Sequence, residues 1–234
     1  MILHADKIAA SGQTFRAWVD KDQTHFISAG EYAIVEKNGT FTSTNDKYFH
    51  NYFDLDTDYT DIQGKLNLPL EIIKAGQGMR ILRADYIEMV ISFIISANNN
   101  IKRIKQIIAK LCEQYGEART FGKIRYHAFP TLEKLSTINV NKFITLGCGY
   151  RAPYLVKAIQ QLSTNTPLTS IMGVGPKVAA CVKLFALHQL DVVPVDTHIQ
   201  KSIDDGLTPT GEYAGVAQQY IFYCMTNKTT MCNG

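Results

Sequence analysis

Over the first fifty residues, apolar and polar positions follow the short-period pattern of β-strands. The runs are rich in β-branched and aromatic residues and are separated by turn residues, which is typical of an antiparallel sheet. The step Asn38-Gly39 between the last two runs is a strong signal of a β-hairpin. We therefore predict an N-terminal antiparallel β domain over residues 1–56. Its predicted strands are Thr14–Val19, Thr24–Ile27, Tyr32–Glu36 and Thr40–Thr44.

Beyond residue 56 the apolar positions recur with the spacing of α-helices. In the segment Ile101–Tyr115 the isoleucines share one face, while Lys102, Arg103 and Lys105 lie off it. The pattern predicts an α+β fold, in which a small sheet packs on an all-α body over residues 57–234. The other segments with helical spacing are Leu66–Ala75, Asp85–Ala97, Thr131–Leu135, Val140–Leu146, Pro153–Leu162, Lys177–Leu187 and Gly215–Thr226.

Composition narrows the class of protein. The chain has 234 residues, of which 46% are hydrophobic and 19% charged, and this is too apolar for a disordered chain. No apolar run reaches the roughly 18 residues that a membrane span needs, and the first ten residues do not resemble a signal peptide. Five cysteines without a C-x-x-C pair argue against a metal or iron–sulfur site. We therefore expect an intracellular protein without membrane attachment, metal or cofactor.

The net charge of +3 is the sum of very different regions. Residues 1–61 carry ten acidic and five basic side chains, whereas residues 101–125 carry two acidic and seven basic ones. From Lys134 to Leu190 there are six basic side chains and no acidic one. This asymmetry predicts that the central part of the chain faces a polyanion, and charge alone leaves a solvated basic surface as the alternative.

Candidate chemistry begins at the glycine-rich turn formed by Gly173, Val174, Gly175 and Pro176. The glycines permit a tight turn, and the free N–H groups at the start of the next helix can bind a phosphate. Lys177 falls in the first turn of that helix, where the helix dipole and apolar neighbours favour its neutral, nucleophilic form. A lysine that reaches solvent or contacts a phosphate is the alternative.

Asp196 follows a strand-like run and is predicted to cap the N-terminus of a second helix. A carboxylate at this position can also stabilise a developing cation and assist proton transfer. Lys177 and Asp196 at two adjoining helix starts suit covalent catalysis at a carbon that acquires positive charge, such as a sugar C1′.

The block GVGPKVAACVKLFAL at residues 173–187, followed by VVPVDTHI at 192–199, resembles the active-site signature of the helix-hairpin-helix DNA glycosylases. Within that superfamily the chain is most similar to the 8-oxoguanine DNA glycosylase family, in a compact, bacterial-like form. The resemblance implies a helix-hairpin-helix near residues 167–187 whose first helix is shortened. Four further motifs match the family in order, namely SGQTFRAW (11–18), RILRADYIEMVISFIISANNNIKRI (80–104), LGCGYRAPYL (146–155) and YAGVAQQYIF (213–222).

The resemblance implies a bifunctional enzyme. Lys177 would attack C1′, expel the base and form a Schiff base that permits β-elimination. Asp196 would stabilise the oxocarbenium-like state and help to activate Lys177. Backbone phosphates would lie near Gly173, Gly175 and His198. The implied partner is double-stranded DNA containing a damaged purine, 8-oxoguanine preferentially opposite cytosine, and the protein would be a monomer without an obligate protein partner.

The resemblance also implies a pocket for a flipped base. The base would lie between Cys181 and Phe222, while Gln218 bonds its Watson–Crick edge. The carbonyl of Gly12 would accept the N7 hydrogen that 8-oxoguanine has and guanine lacks. The residues that would fill the gap in the duplex and contact the orphaned cytosine are Asn98, Arg103, Tyr150 and Arg151. Without the resemblance, the same positions are ordinary core, turn and capping residues.

Two stretches, residues 152–176 and 197–217, are short for the family, and Ala180 stands where the family commonly has Asp. Two alternatives therefore stay open. One is a glycosylase for another damaged purine, against which Lys177 argues. The other is a catalytically impaired helix-hairpin-helix module that binds DNA without turnover.

Overall fold

The computed structural model describes residues 3–227. Within that range a four-stranded antiparallel sheet with strand order β1-β2-β3-β4 precedes a mostly helical body, and β5 and β6 form a separate hairpin. The α+β fold predicted from periodicity is therefore confirmed. The strands are β1 (Ala17–Val19), β2 (His25–Ala29), β3 (Tyr32–Lys37), β4 (Thr40–Ser43), β5 (Ala118–Phe121) and β6 (Ile124–His127).

The helices of the described range vary in length from five to fifteen residues. Among them, none combines the length and apolarity that crossing a bilayer requires. The helices are α1 (Ala5–Ala10), α2 (Asp46–Tyr52), α3 (Tyr59–Lys65), α4 (Leu70–Gly76), α5 (Tyr86–Ser96), α6 (Ile101–Tyr115), α7 (Leu132–Ser136), α8 (Val140–Leu146), α9 (Ala152–Leu162), α10 (Pro176–Phe185), α11 (Thr197–Asp204) and α12 (Ala214–Asn227).

The hairpin predicted at Asn38-Gly39 is present. Lys37 pairs with Thr40, and the two residues between them have φ values of +53° and +76°. A two-residue loop with positive φ at both positions matches the right-handed twist of the flanking strands, so the local sequence determines the register here.

The sequence pattern missed α1, α2, α3 and the hairpin of β5 and β6. The two seven-residue helices α2 and α3 are too short to show a clear apolar period, but their N-caps Asn45 and Asp58 accept backbone hydrogen bonds. The helix predicted to start at Leu66 begins instead at Leu70, because Pro69 disfavours helical backbone at the residue before it.

A buried ion pair joins the sheet to the helical body. Arg16 donates from Nη1 to the Glu88 carboxylate at 3.0 Å and to the Gly30 carbonyl at 3.1 Å, and from Nη2 to the His127 carbonyl at 2.6 Å. The Glu88 carboxylate also accepts from the Gly30 amide at 2.9 Å. Burial raises the pKa of Glu88, and the charge of Arg16 opposes that rise. The domain boundary at residue 56 stays a prediction. One hydrophobic core includes both Ile27 of the sheet and residues of α5.

The helix-hairpin-helix has the shortened first helix that the sequence predicts. Only a 3-10 turn, Leu168–Ser170, precedes the glycine-rich turn, and α10 follows directly. Helix α10 packs on the long buried helix α5. The start of α10 is therefore held against the centre of the molecule.

Candidate active site

A cavity of about 880 Å³ opens where the glycine-rich turn meets the α5–α6 loop and the helices α11 and α12. The residues that line it come from five separate parts of the chain. Eight of the residues predicted from the sequence border it, namely Gly12, Asn98, Gly173, Gly175, Lys177, Asp196, His198 and Phe222.

The glycine-rich turn sets the direction in which α10 begins. Gly173 has φ +85°, and a Cβ there would lie 3.1 Å from the Cβ of Tyr154 and 3.3 Å from Ile94. Conformation and space therefore both require glycine at this position. Gly175 is the N-cap of α10 and has no capping side chain, and Pro176 occupies the first turn. The free N–H groups at this helix start lie at the cavity and are suitable for an anion.

Asp196 caps α11 as predicted. Its Oδ1 accepts hydrogen bonds from the amides of His198 at 3.0 Å and Ile199 at 2.9 Å. Asp196 is the one acidic residue among the described residues that border the cavity. A single oxygen thus makes both capping bonds, while the carboxylate as a whole faces the space in which Lys177 lies.

Lys177, Cys181 and Asp196 share one electrostatic neighbourhood. Burial raises the pKa of the Cys181 thiol to about 11, the charge of Lys177 opposes the rise and that of Asp196 adds to it. No ion pair within 4.0 Å joins the described side chains of Lys177 and Asp196. The ammonium of Lys177 lies instead over the ring of Phe93, 5.1 Å from its centroid.

The predicted base pocket is partly open to the cavity. Gly12 and Phe222 form one wall, since a Cβ on Gly12 would lie 3.5 Å from the Phe222 ring. His198 meets the same ring edge to face at 6.0 Å. Cys181 and Gln218 are each 2% exposed and do not border the cavity. The Gln218 side-chain oxygen accepts from Nε2 of Gln219 at 2.9 Å.

The residues predicted to face the opposite strand surround the loop before α6. Asn98 borders the cavity with a left-handed φ of +49°. Arg103 is exposed and donates to the Gly147 carbonyl at 3.2 Å, and Tyr150 is 56% exposed. Arg151 is 5% exposed and does not border the cavity.

The guanidinium of Arg151 is bound to backbone. Its Nε donates to the Ala97 carbonyl at 2.8 Å and its Nη2 to the Asn98 carbonyl at 2.7 Å. The Arg151 guanidinium also stacks on the Tyr150 ring, 4.4 Å from its centroid. In this structure Arg151 therefore shapes the loop that carries Asn98 rather than presenting a free guanidinium.

Sequence reasoning missed several residues of the cavity. Phe93 belongs to an apolar stretch whose pattern is that of any buried helix, so its position at the cavity gives no sequence signal. Further lining residues without a predicted role are Phe15, Ser96, Ile101, Ile104, Thr197 and Thr226. Within residues 3–227, no three His, Cys, Asp or Glu side chains are grouped as ligands for a metal ion, and the expectation of a site without metal or cofactor stays a prediction.

Comparison with known proteins places this geometry in a family. A family model described as HhH-GPD superfamily base excision DNA repair protein matches residues 91–206. The N-glycosylase/DNA lyase OGG1 of Arabidopsis thaliana is 32% identical over 194 residues, which cover 65% of this chain and 53% of the relative. The N-glycosylase/DNA lyase of Saccharomyces cerevisiae is 39% identical over 153 residues, which cover 53% of this chain and 41% of the relative. The chain thus spans about half the length of the curated relatives it matches.

A solved structure extends the likeness over nearly the whole chain. Clostridium acetobutylicum 8-oxoguanine glycosylase/lyase, in complex with double-stranded DNA containing cytosine opposite 8-oxoG, superposes with a TM-score of 0.86 at 30% identity. The match covers 97% of this chain and 93% of that chain. The chain therefore belongs to the HhH-GPD superfamily of base excision DNA repair proteins, and within it resembles the 8-oxoguanine glycosylase/lyases, as its motifs predict.

Proposed function

We propose that this chain excises 8-oxoguanine from double-stranded DNA and then cuts the strand as an abasic-site lyase. The observation that carries the proposal is the placement of Lys177 and Asp196 on one cavity, beside the glycine-rich turn. Similarity to N-glycosylase/DNA lyases supports the reaction type. Similarity to the Clostridium enzyme, whose DNA holds cytosine opposite 8-oxoG, supports the substrate and the preference for cytosine.

The damaged nucleotide enters the cavity after it leaves the stack. A volume of about 880 Å³ lies within the range typical of ligand sites. The base lies against the Phe222 ring, and the Gly12 carbonyl accepts its N7 hydrogen. Cys181 packs against the opposite face of the base and Gln218 bonds its Watson–Crick edge, and both side chains become accessible when the base enters, since neither borders the cavity in this structure. The phosphates beside the lesion bind the N–H groups at the start of α10 and His198.

Base excision proceeds through covalent attack by the lysine. The lone pair of Lys177 Nζ forms a bond to C1′ while the bond from C1′ to N9 breaks and N9 takes the electron pair. The Asp196 carboxylate stabilises the positive charge that develops at C1′ in the transition state. One proton of the new secondary ammonium passes to Asp196, and from there it neutralises the departed base.

Strand cleavage follows from the same intermediate. The nitrogen lone pair forms the C=N bond of a Schiff base as the bond from C1′ to O4′ breaks, and O4′ takes up a proton. The positive Schiff base acidifies the hydrogen on C2′. Loss of that proton forms a C2′–C3′ double bond and expels the 3′ phosphate, so the strand is cut by β-elimination.

The opposite strand is read by the residues around the α5–α6 loop. Tyr150 is exposed enough to wedge into the gap that the flipped base leaves. Asn98 lies at the mouth of the cavity, and Arg103 offers N–H donors to the O2 and N3 acceptors of cytosine. Arg151 acts through this loop, because its bonds to the Ala97 and Asn98 carbonyls hold Asn98 at the cavity. We further propose that the protein acts inside the cell as a monomer, without metal or cofactor.

Borohydride trapping on a duplex that contains 8-oxoguanine opposite cytosine tests the proposal. The Schiff base should be reduced to a stable protein–DNA adduct. The variant Lys177→Gln should form no adduct, while Lys183→Gln, which changes a lysine in the last turn of the same helix, should form it normally. An adduct that persists in Lys177→Gln contradicts the assignment.

The same assay separates the alternatives. An adduct on duplexes with another damaged purine, but not with 8-oxoguanine, would indicate a glycosylase of different lesion specificity. Tight binding to 8-oxoguanine and abasic duplexes without base release would indicate a catalytically impaired DNA-binding module. Replacing the opposite cytosine by adenine should lower the single-turnover rate of base release if cytosine is read.

A further inference from the structure

Phe93 of α5 lies under the proposed nucleophile. It is 2% exposed, yet its ring borders the cavity, and the ring centroid is 5.1 Å from Lys177 Nζ. This separation is within the range of about 6 Å over which an aromatic face attracts a cation. The ring is thus placed to act on the amine rather than only to fill the core.

Two further rings hold Phe93 in place. Phe15 meets it edge to face at 5.5 Å, and Phe185 stacks on it at 5.7 Å with an interplanar angle of 24°. Phe15 belongs to the segment that carries Gly12, and Phe185 lies two turns after Lys177 on α10. Phe93 is packed between these two rings. It therefore cannot turn its ring face away from Lys177 unless the core repacks.

The face of the Phe93 ring can assist the attack of the Lys177 amine in two ways. The face of an aromatic ring is electron-rich and accepts an N–H as a weak donor. An amine that directs an N–H at the ring has its lone pair on the side away from the ring, and both Lys177 and Phe93 border the cavity. When that lone pair bonds to carbon, the nitrogen becomes positively charged directly over the same face, and the attraction to the ring grows.

A lysine side chain also has a large rotamer entropy, which a favourable contact must offset if one conformation is required. Asp196 does not supply this constraint, because no ion pair within 4.0 Å joins the described side chains of Lys177 and Asp196. The structure gives the amine two partners within the described residues, the Cys181 side chain, which lies in hydrogen-bond contact with it, and the face of the Phe93 ring.

We propose that Phe93 is a positioning residue, whose ring face holds the Lys177 amine toward the cavity and stabilises the positive charge that forms on its nitrogen. The inference rests on the proposed function of Lys177 as the nucleophile. It differs from a packing role, because packing depends on the shape of the side chain and this effect depends on the electron density of the ring.

Fluorination of the ring tests this distinction. Fluorinated phenylalanines with one to five fluorines are introduced at position 93 of the full chain, and the single-turnover rates of base release and of borohydride trapping are measured. Each fluorine weakens the negative face while the shape changes little. We expect the logarithm of both rates to fall with each fluorine, to a total loss of about tenfold, while the dissociation constant of the duplex stays constant.

The matched control is Phe143 of α8, which is fully buried and does not border the cavity. The same series at position 143 should leave both rates unchanged. Rates that do not depend on fluorination at position 93, or that fall equally at both positions, would overturn the proposal.

A second measurement does not depend on activity. In protein with ¹³C-labelled lysine, the ε-methylene resonance of Lys177, identified by its loss in Lys177→Gln, should be shifted upfield by the ring current. The shift should disappear in Phe93→Met, which keeps an apolar side chain without a ring. An unshifted resonance overturns the proposal. If the unaltered protein releases no base while the upfield shift is present, the proposed function fails although the placement is correct.

Discussion

Two pairs of opposite charge in this molecule are handled in contrasting ways. Arg16 and Glu88 lie 3.0 Å apart with side chains only 5% exposed, and backbone groups take up further bonds of both. Lys177 and Asp196 border an open cavity and form no direct ion pair. In the first pair each charge is compensated by the other and by backbone groups. In the second pair neither charge is compensated by the other, and both face the cavity.

The difference fits a structural role for the first pair and the proposed catalytic role for the second. Burial of an uncompensated charge lowers the free energy of unfolding by several kcal/mol. Arg16 and Glu88 therefore each need the other, and their contact joins the sheet to the helices. A nucleophile and a carboxylate that were bound to each other at 3 Å would have to be separated before they could act on a substrate. Asp196 is instead held by backbone amides, which fix its place and leave its charge unpaired.

Removing one partner of the buried pair should cause the largest effect. The substitution Arg16→Met leaves Glu88 buried without its cation, and the free energy of unfolding should fall by about 3 kcal/mol. Urea denaturation followed by circular dichroism measures this loss. The rate of base release per folded molecule should change little, because Arg16 does not border the cavity.

The double variant Arg16→Met with Glu88→Gln is the control for that prediction. It removes the uncompensated charge but keeps an acceptor for the Gly30 amide, so much of the lost stability should return. A single variant that loses less than about 1 kcal/mol would mean that the pair is not the joint between sheet and helices.

The charge of Asp196 should matter for the reaction more than for the fold. In Asp196→Asn an oxygen remains to cap α11, since asparagine is a good N-cap, but the negative charge is gone. We expect the single-turnover rate of base release to fall on the order of 100-fold, while the melting temperature changes little. A rate within a few-fold of the unaltered protein would remove Asp196 from the proposed mechanism.

Asp196→Ala separates capping from charge. It removes both, so it should show the same loss of rate and, in addition, a loss of about 1 kcal/mol in the free energy of unfolding. Asp204→Asn in the last turn of the same helix is the matched control, since it removes a carboxylate that does not border the cavity.

The smallest expected effect is a pH dependence of stability that comes from His188 and Asp54, whose side chains are buried. His188 Nε2 lies 2.9 Å from Asp54 Oδ2, and Asp54 Oδ1 accepts from Arg83 Nε at 2.9 Å. Burial and the charge of Arg83 lower the pKa of His188, and Asp54 opposes them. The folded protein therefore takes up this proton less readily than the unfolded chain, so stability is lost as the pH falls below about 6.5.

We expect the free energy of unfolding to decrease by about 1 kcal/mol more between pH 7.5 and 5.5 than in the variant His188→Asn. Asparagine is chosen because it tolerates the left-handed φ of +54° at this position. Parallel curves for the unaltered protein and His188→Asn would show that this histidine does not titrate with folding.

Local features of the chain allowed much of the fold and part of the site to be predicted. The hairpin at Asn38-Gly39 and the cap at Asp196 depend on residues within four positions of each other. Interactions of this range are present in the sequence as patterns. The position of Phe93 at the cavity had no such pattern, because an apolar residue of a buried helix looks the same in sequence whether or not it borders a cavity.

By itself the sequence determined the type and order of most elements, the helix starts that carry Lys177 and Asp196, and the superfamily. Only the tertiary structure decided which partners these side chains have. Arg16 meets acceptors 14, 72 and 111 residues away, and Arg151 donates to carbonyls 53 and 54 residues before it. The physical reason is that a hydrogen bond or a ring contact depends on distances of a few ångströms, which packing of the whole core sets and no local pattern encodes.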